Sequence, residues 1–180
     1  MTQRLSLKTE RLLLRSFSIK DAPEVQRLAG DRDIAANVRD IPHPYEDGLA
    51  EEWISTHKER LERGEIILAI ALHDTNRLIG TIGLLIDRKD ENAELGFWIG
   101  KPYWDKGYCT EAADALVRYG FDKQGLNRIH AFHLSRNPAS GRVLQKIGMS
   151  HEGCLRQAIK KWGAFEDVEV YSILRSEYYK

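Results

Sequence analysis

Residues 101 to 121 read KPYWDKGYCTEAADALVRYGF, where a Pro, two aromatic residues and a lone Gly crowd the approach to a helix. A helix start presents several unpaired N–H groups and a partial positive charge, which together bind phosphate when the preceding loop allows close approach. Gly107 supplies that approach and Lys106 adds a cation. The same residues serve equally as an ordinary helix cap, and their types alone leave both roles open.

Other reactive residues are sparse. Cys109 and Cys154 are too few for a disulfide framework. Of the six His, only His130 and His133 lie close together, and three residues apart on a strand means opposite faces, so no metal site is expected.

The elements that must position these residues follow from periodicity. RLLLRSF (11–17) reads as a strand, and a helix follows with Asp21 as cap, Pro23 in its first turn and Gly30 as stop. A second helix is expected from Asp47 to about Arg63, where Leu49, Trp53, Ile54, His57 and Leu61 recur at helical spacing. Between them RDIPHPYEDG is a Pro-interrupted loop, of a kind that shapes a binding mouth. EIILAIAL, RLIGTIGLLID and NAELGFWIG read as three antiparallel strands. From Tyr108, the residues Cys109, Ala112, Ala113, Leu116, Val117 and Gly120 share one helical face, and Gly125 closes that helix. NRIHAFHL, NPASGRVLQKIGM, EGCLRQAI and DVEVYSILR continue as strand, helix, strand, strand. Strand, helix, strand here implies a parallel crossover inside an otherwise antiparallel sheet.

The 180 residues are 42% apolar and 30% charged, which suits one domain spanning 1–180 with a self-supporting core. The 27 basic and 27 acidic side chains cancel, so bulk charge draws the chain to neither nucleic acid nor membrane. MTQRLSLKTERLLLR is interrupted by charges where a signal peptide needs an apolar run, and no stretch approaches the roughly 18 apolar residues of a membrane span. A cytoplasmic protein is expected.

The order of these pieces resembles the GNAT superfamily of N-acetyltransferases. TERLLLR, PHP, LIGTIGL, AELGFWI, WDKGYCTEA, NPASGRVLQKIGM and EGCLRQA are more closely similar to its Rim-type (RimJ/RimL-like) branch, whose best-known members acetylate protein α-amines. The resemblance covers nearly the whole chain. It implies an α/β GNAT fold, a mixed, mostly antiparallel sheet of about seven strands with about four helices and one parallel crossover at the acetyl-CoA site. Acetyl-CoA is then the co-substrate, with no metal.

The superfamily's pyrophosphate loop, Gln/Arg-x-x-Gly-x-Gly/Ala, falls on Trp104, Gly107 and Cys109, with the N–H groups of about Lys106 to Thr110, Tyr108 among them, as donors. Asp105 stands where a Gly is usual. The resemblance further implies that AELGFWIG splays from the crossover strand, so that the pantetheine arm adds to its edge near Trp98 and Ile99. Asn137 would bond that arm.

Acetyl transfer needs a neutral amine, and Glu94 on the splayed strand is the candidate base, acting through a water. A backbone N–H of the same strand would hold the oxyanion. Many members steady the leaving thiolate with a Tyr where this chain has Leu144, which leaves Ser140, similar to the Ser of Rim-type enzymes. Its plain alternative is a helix cap. Some relatives carry a Glu at the position of Ile159, so Glu94 is preferred partly by default. The acceptor is expected to be a peptide N-terminus. A small-molecule amine, a polyamine or aminoglycoside, is the rival within enzymes, and a weakly catalytic CoA-binding module the rival outside them. The resemblance leaves room for a homodimer.

Overall fold

The computed structural model describes residues 5–180. The first four residues, part of the N-terminal stretch expected to be too charged for a leader, lie outside this range. Among the described residues the strands are β1 (Ser6–Lys8), β2 (Leu12–Arg15), β3 (Glu65–Leu72), β4 (Leu78–Asp87), β5 (Asn92–Ile99), β6 (Arg128–Leu134), β7 (Ser150–Lys161) and β8 (Ala164–Leu174). The helices are α1 (Ala22–Ala29), α2 (Arg32–Asn37), α3 (Leu49–Ser55), α4 (His57–Glu62), α5 (Tyr108–Gln124), α6 (Pro138–Lys146) and α7 (Arg175–Tyr178).

The strands form one sheet ordered β1-β2-β3-β4-β5-β6-β8-β7. Every neighbouring pair is antiparallel except β5 and β6, which α5 joins by a crossover. The parallel neighbours expected from NRIHAFHL, NPASGRVLQKIGM and EGCLRQAI lie one unit earlier, at β5–α5–β6. β6 and β7 also run in one direction, but β8 lies between them because β7 and β8 form a hairpin.

Alternation along the strands builds two main cores, with a smaller cluster of Leu134, Ile159 and Val168 between β6, β7 and β8. Ile66, Leu68, Ile70, Ile82 and Leu84 face one side, where Ala112, Ala113, Leu116, Val117 and Phe121 of α5 cover them. Burying side chains the size of Leu116 or Phe121 contributes about 1.5–3 kcal/mol each. The opposite face carries Ala69, Leu78 and Trp98, covered by Val25 and Leu28 of α1, Ile34 of α2 and Ile54 of α3.

Several local readings change in the structure. Asp21 stands at the head of α1, but its carboxylate accepts from Arg15 at 2.8 and 2.9 Å and from the Ser18 N–H at 2.8 Å instead of capping that helix. The single helix expected from Asp47 to Arg63 is two, which meet at Thr56, where the backbone N–H (3.2 Å) and the hydroxyl (2.7 Å) both donate to the Trp53 carbonyl. The helix that begins at Tyr108 is present as expected, with Gly125 left-handed (φ 70°) at its end.

Candidate active site

Pairing between β5 and β6 runs only from Asn92↔Arg128 to Glu94↔His130, and beyond that rung the strands part. The Gly100 N–H bonds the Ile79 carbonyl at 2.8 Å, so the backbone of Gly100 faces β4. Backbone groups alternate in direction along a strand. Those of Phe97 and Ile99 therefore face the opening, whereas the backbone of Trp98 faces β4. Trp98 still lines the cleft with Ile99, yet its indole packs into the α1–α3 core. Phe97 is the edge residue that sequence reasoning missed. The Ile99 carbonyl accepts the Trp104 indole N–H at 2.7 Å, which ties the turn after β5 to the strand's open edge.

The opening continues as a cleft of about 450 Å³ between β5, α2 and the starts of α5 and α6. Trp104, Gly107, Tyr108, Cys109, Thr110, Asn137 and Ser140 all line it. Asp105 (φ 59°) and Gly107 (φ 76°) both take left-handed backbone angles, and these fold the loop over the head of α5. The first bond inside α5 runs from the Glu111 N–H to the Gly107 carbonyl at 3.1 Å, so the N–H groups of Tyr108, Cys109 and Thr110 precede the helical ladder. They point where an anion would sit.

Arg11 holds this loop. Its guanidinium donates to the Lys106 carbonyl at 2.9 Å and to Glu111 Oε2 at 2.7 Å, and lies 4.7 Å from the centre of the Tyr108 ring. The Lys106 ammonium turns to the Pro102 carbonyl at 3.0 Å and is not among the residues lining the cleft. Arg142 and Lys146, one turn apart on α6, line it instead and supply the cations. Only their (i, i+4) spacing on the helix after Asn137 could have suggested them. Burial pushes the Cys109 thiol up to about 12, which keeps it protonated and unsuited to nucleophilic attack. Cys154 is exposed on β7, away from the cleft.

At the head of α6, Asn137 Nδ2 donates to Ser140 Oγ at 3.0 Å. Ser140 is the third residue of α6 and bonds this side chain, while Asn137 at the N-cap makes no side-chain cap bond. A hydroxyl that accepts here keeps its own proton for the cleft. Leu144 is fully buried in the main core. His133 lies beneath the same helix, with Nε2 only 2.6 Å from where a Cβ on Gly141 would fall, so the ring takes the room a side chain would need.

Glu94 is not in the cleft lining. It shares a sheet face with Trp98, at the two-residue period of a strand, and stands about 10 Å along β5 from Phe97. Burial raises its pKa above the usual carboxylate value; Arg39 opposes the shift and Asp40 adds to it. Its partner across the last rung is His130, whose Nε2 lies 3.9 Å from Glu94 Oε2. His130 Nδ1 meets Asn92 Oδ1 at 2.9 Å. An amide oxygen only accepts, so this contact assigns the proton to Nδ1 and leaves the Nε2 lone pair toward Glu94. Burial, helped by Arg128 and opposed by Glu152, lowers the pKa of His130. His130 and His133 do lie on opposite faces of β6, as their spacing predicts.

The structure thus separates two sides of the fork. One side, Phe97 to Ile99 with α5 and α6, offers an open strand edge, helix-start N–H groups, cations and a hydroxyl. The other, Glu94 and His130, offers a base beneath the loop that follows α2.

Residues 11–150 match the model of an acetyltransferase (GNAT) domain. The chain is 33% identical to the uncharacterized N-acetyltransferase YoaA of Bacillus subtilis over 94% of this chain and 96% of that one. It is 31% identical to the uncharacterized N-acetyltransferase p20 of Bacillus licheniformis, over 96% and 98%. A solved GNAT-family acetyltransferase from Bacillus anthracis superposes with a TM-score of 0.85 at 30% identity, covering 96% of this chain and all of the other. With an eight-stranded sheet splayed at one parallel pair and a family match over most of its length, the chain belongs to the GNAT acetyltransferase family and is an N-acetyltransferase.

Proposed function

We propose that this protein transfers acetyl from acetyl-CoA directly to a primary amine, and that the amine is the α-amino group of a peptide or protein. The observation that carries this reading is the parting of β5 and β6 at Glu94 and His130, which sets an open backbone edge beside the α5 start and a basic carboxylate just behind it. Arg142, Lys146 and the α5 N–H groups would hold the pyrophosphate, and the Phe97–Ile99 edge the amide-bearing pantetheine arm.

In the reaction the amine nitrogen forms a bond to the thioester carbonyl and the C–S bond breaks. The ammonium proton passes through water to Glu94, and as the C–S bond breaks the nitrogen's second proton reaches the leaving sulfur through the Ser140 hydroxyl, so that CoA departs as a thiol and Ser140 is restored. A backbone N–H of the splayed strand meets the transient oxyanion. The thiol of Cys109, held protonated, argues against an acyl-enzyme.

Proteins sharing this fold act on different acceptors. One solved structure is a RimL ribosomal L7/L12 α-N-protein acetyltransferase with coenzyme A, and another is a spermidine N-acetyltransferase from Vibrio cholerae with CoA and spermine. The charges here favour the first type. Around Glu94 the cations Arg39 and Lys161 offset Asp40 and the carboxylate itself, which leaves no excess negative charge to draw a polycation. An α-amine also needs little help, since its pKa is near ~7.7–8.0.

The test is to incubate the protein with acetyl-CoA and a panel of peptides, polyamines and aminoglycosides while following free thiol. Acetylated peptide N-termini support the reading. Turnover confined to polyamines or aminoglycosides moves it to small amines, and CoA binding without turnover leaves only a binding module.

A further inference from the structure

Lys161 closes β7 at the tip of the β7–β8 hairpin, where a lysine ordinarily reaches into water. Here the residue is 7% exposed. Its ammonium donates to the carbonyl oxygens of Val38 at 2.7 Å, Arg39 at 3.1 Å and Ile41 at 2.8 Å. An ammonium has three N–H donors, and one carbonyl is available to each. We propose that Lys161 is a positioning residue that holds the loop after α2 in the shape that receives the amine, and so sets acceptor affinity without touching acetyl-CoA. This rests on the transfer reading above.

Three observations support the assignment. First, the clamped segment carries Arg39 and Asp40, both of which act electrostatically on Glu94. Displacing the loop therefore changes the surroundings of the proposed base as well as the mouth. Second, Arg136, at the turn between β6 and α6, seizes the neighbouring residues from the same side. It donates to the Ala36 carbonyl at 2.6 Å and to Asn37 Oδ1 at 3.1 Å, and pairs with Glu166 of β8 at 3.0 Å. Third, Trp162, next to Lys161, lies 5.9 Å from the His43 ring and 5.7 Å from the Arg32 guanidinium. The hairpin tip and the loop thus form one wall, joined by cations on one element and carbonyls on the other. The α5 cradle shares none of these bonds.

Lys161→Met keeps the length and removes the charge. Each bond to a charged donor is worth enough that losing the set should raise the KM for a peptide amine roughly tenfold or more. The acetyl-CoA Kd by calorimetry should change far less than that KM: the clamped Asn37 and Val38 border the cleft, but the proposed pyrophosphate groups on α5 and α6 make no bond to the clamp. Amide hydrogen exchange should quicken in residues 38–47 and stay unchanged in α5 and β5. Arg136→Gln should move KM and exchange in the same direction by less, and it carries the test if Lys161→Met does not fold. Unchanged exchange removes the clamp. Faster exchange with an unchanged acceptor KM reduces Lys161 to a strut and overturns the specificity role. A wild-type protein that acetylates no amine sinks the transfer reading itself, and the exchange comparison tells that failure apart from failure of the clamp.

Discussion

Glu94 and His130 face each other on the last parallel rung of the sheet, Oε2 3.9 Å from Nε2, and the two strands separate immediately beyond them. The distance is too long for a direct hydrogen bond. Both groups are biased by burial toward their neutral forms, Glu94 upward and His130 downward. A proton arriving here finds two acceptors of closer strength than a free carboxylate and imidazole would be.

Replacing Glu94 by Gln keeps the size and removes the proposed base. Acetyl-CoA affinity should hold, while kcat/KM falls by ~10² to 10⁴ at neutral pH. The base works when ionised, so wild-type activity should climb as pH rises through a pKa above the ordinary carboxylate range, and the variant should lack that limb. Its deficit should shrink in alkali, where the acceptor loses its proton unaided. Steady-state rates from about pH 6 to 9 check this. Nearly full activity throughout would place the base elsewhere.

Gly107→Val should weaken coenzyme A binding sharply and leave the fold standing. A Cβ there meets only the Arg11 guanidinium, at 3.4 Å and thus in ordinary contact, so space is not the obstacle. The obstacle is φ of 76°, which costs a branched residue about 1–3 kcal/mol and favours a loop turned away from the α5 head. Calorimetry with coenzyme A reads the effect, and an unchanged affinity in a folded variant removes the phosphate role.

For Ser140→Ala, turnover should drop more than acetyl-CoA affinity, since a group that meets the leaving sulfur acts only as charge develops. Thermal stability should change by less than the ~1 kcal/mol typical of a lost cap, because Ser140 bonds the Asn137 side chain instead of a backbone N–H. Equal losses in binding and rate would show that the hydroxyl merely seats the cofactor arm.

His57 gives a prediction on stability alone. Both ring nitrogens are buried without a partner, and the ring lies 4.3 Å from Trp53 and 5.1 Å from Phe17 between centroids. Burial, with Arg60 adding, lowers its pKa from 6.5 to about 4. The unfolded chain therefore takes up the proton first, and the contribution present above about pH 6.5 is lost as pH falls toward 4. His57→Phe should flatten the decline of Tm over that window. A parallel decline in both proteins would show that other groups control it.

Much of the scaffold was readable because its signals are local. The face of α5 repeats over 17 residues, and the periods of β3, β4 and β5 are bounded by turns. α2 was not readable, since its six residues bury only Ile34 and Ala35. Trp104, Gly107 to Thr110, Asn137 and Ser140, which line the cleft, stood out through their motifs, as did Lys106, which turns away from it. Arg142 and Lys146 carried no such signal, and Arg11 reaches the cradle from 95 residues away in the chain. The clamp by Lys161 joins residues at least 120 apart, a relation that only the completed sheet creates. Loop-closing contacts of this kind leave no periodicity to read.

The insertion of β8 between β6 and β7 also sets an order of assembly. Chains emerge from the ribosome N-terminus first. When residues up to 161 have appeared, β6 has β5 on one flank for only its first rungs and nothing on the other, and β7 has no strand beside it. The strand that completes the interior of the sheet is thus the last one made. Until residues 164–174 arrive, the backbone of β6 is an open template for another chain, and the segment that will hold the acceptor loop has no wall to stand against. A nascent chain arrested before β8 should therefore be a client for chaperones, with α5 able to cover β3 and β4 but α6 still without Tyr171 and Ile173 to pack against.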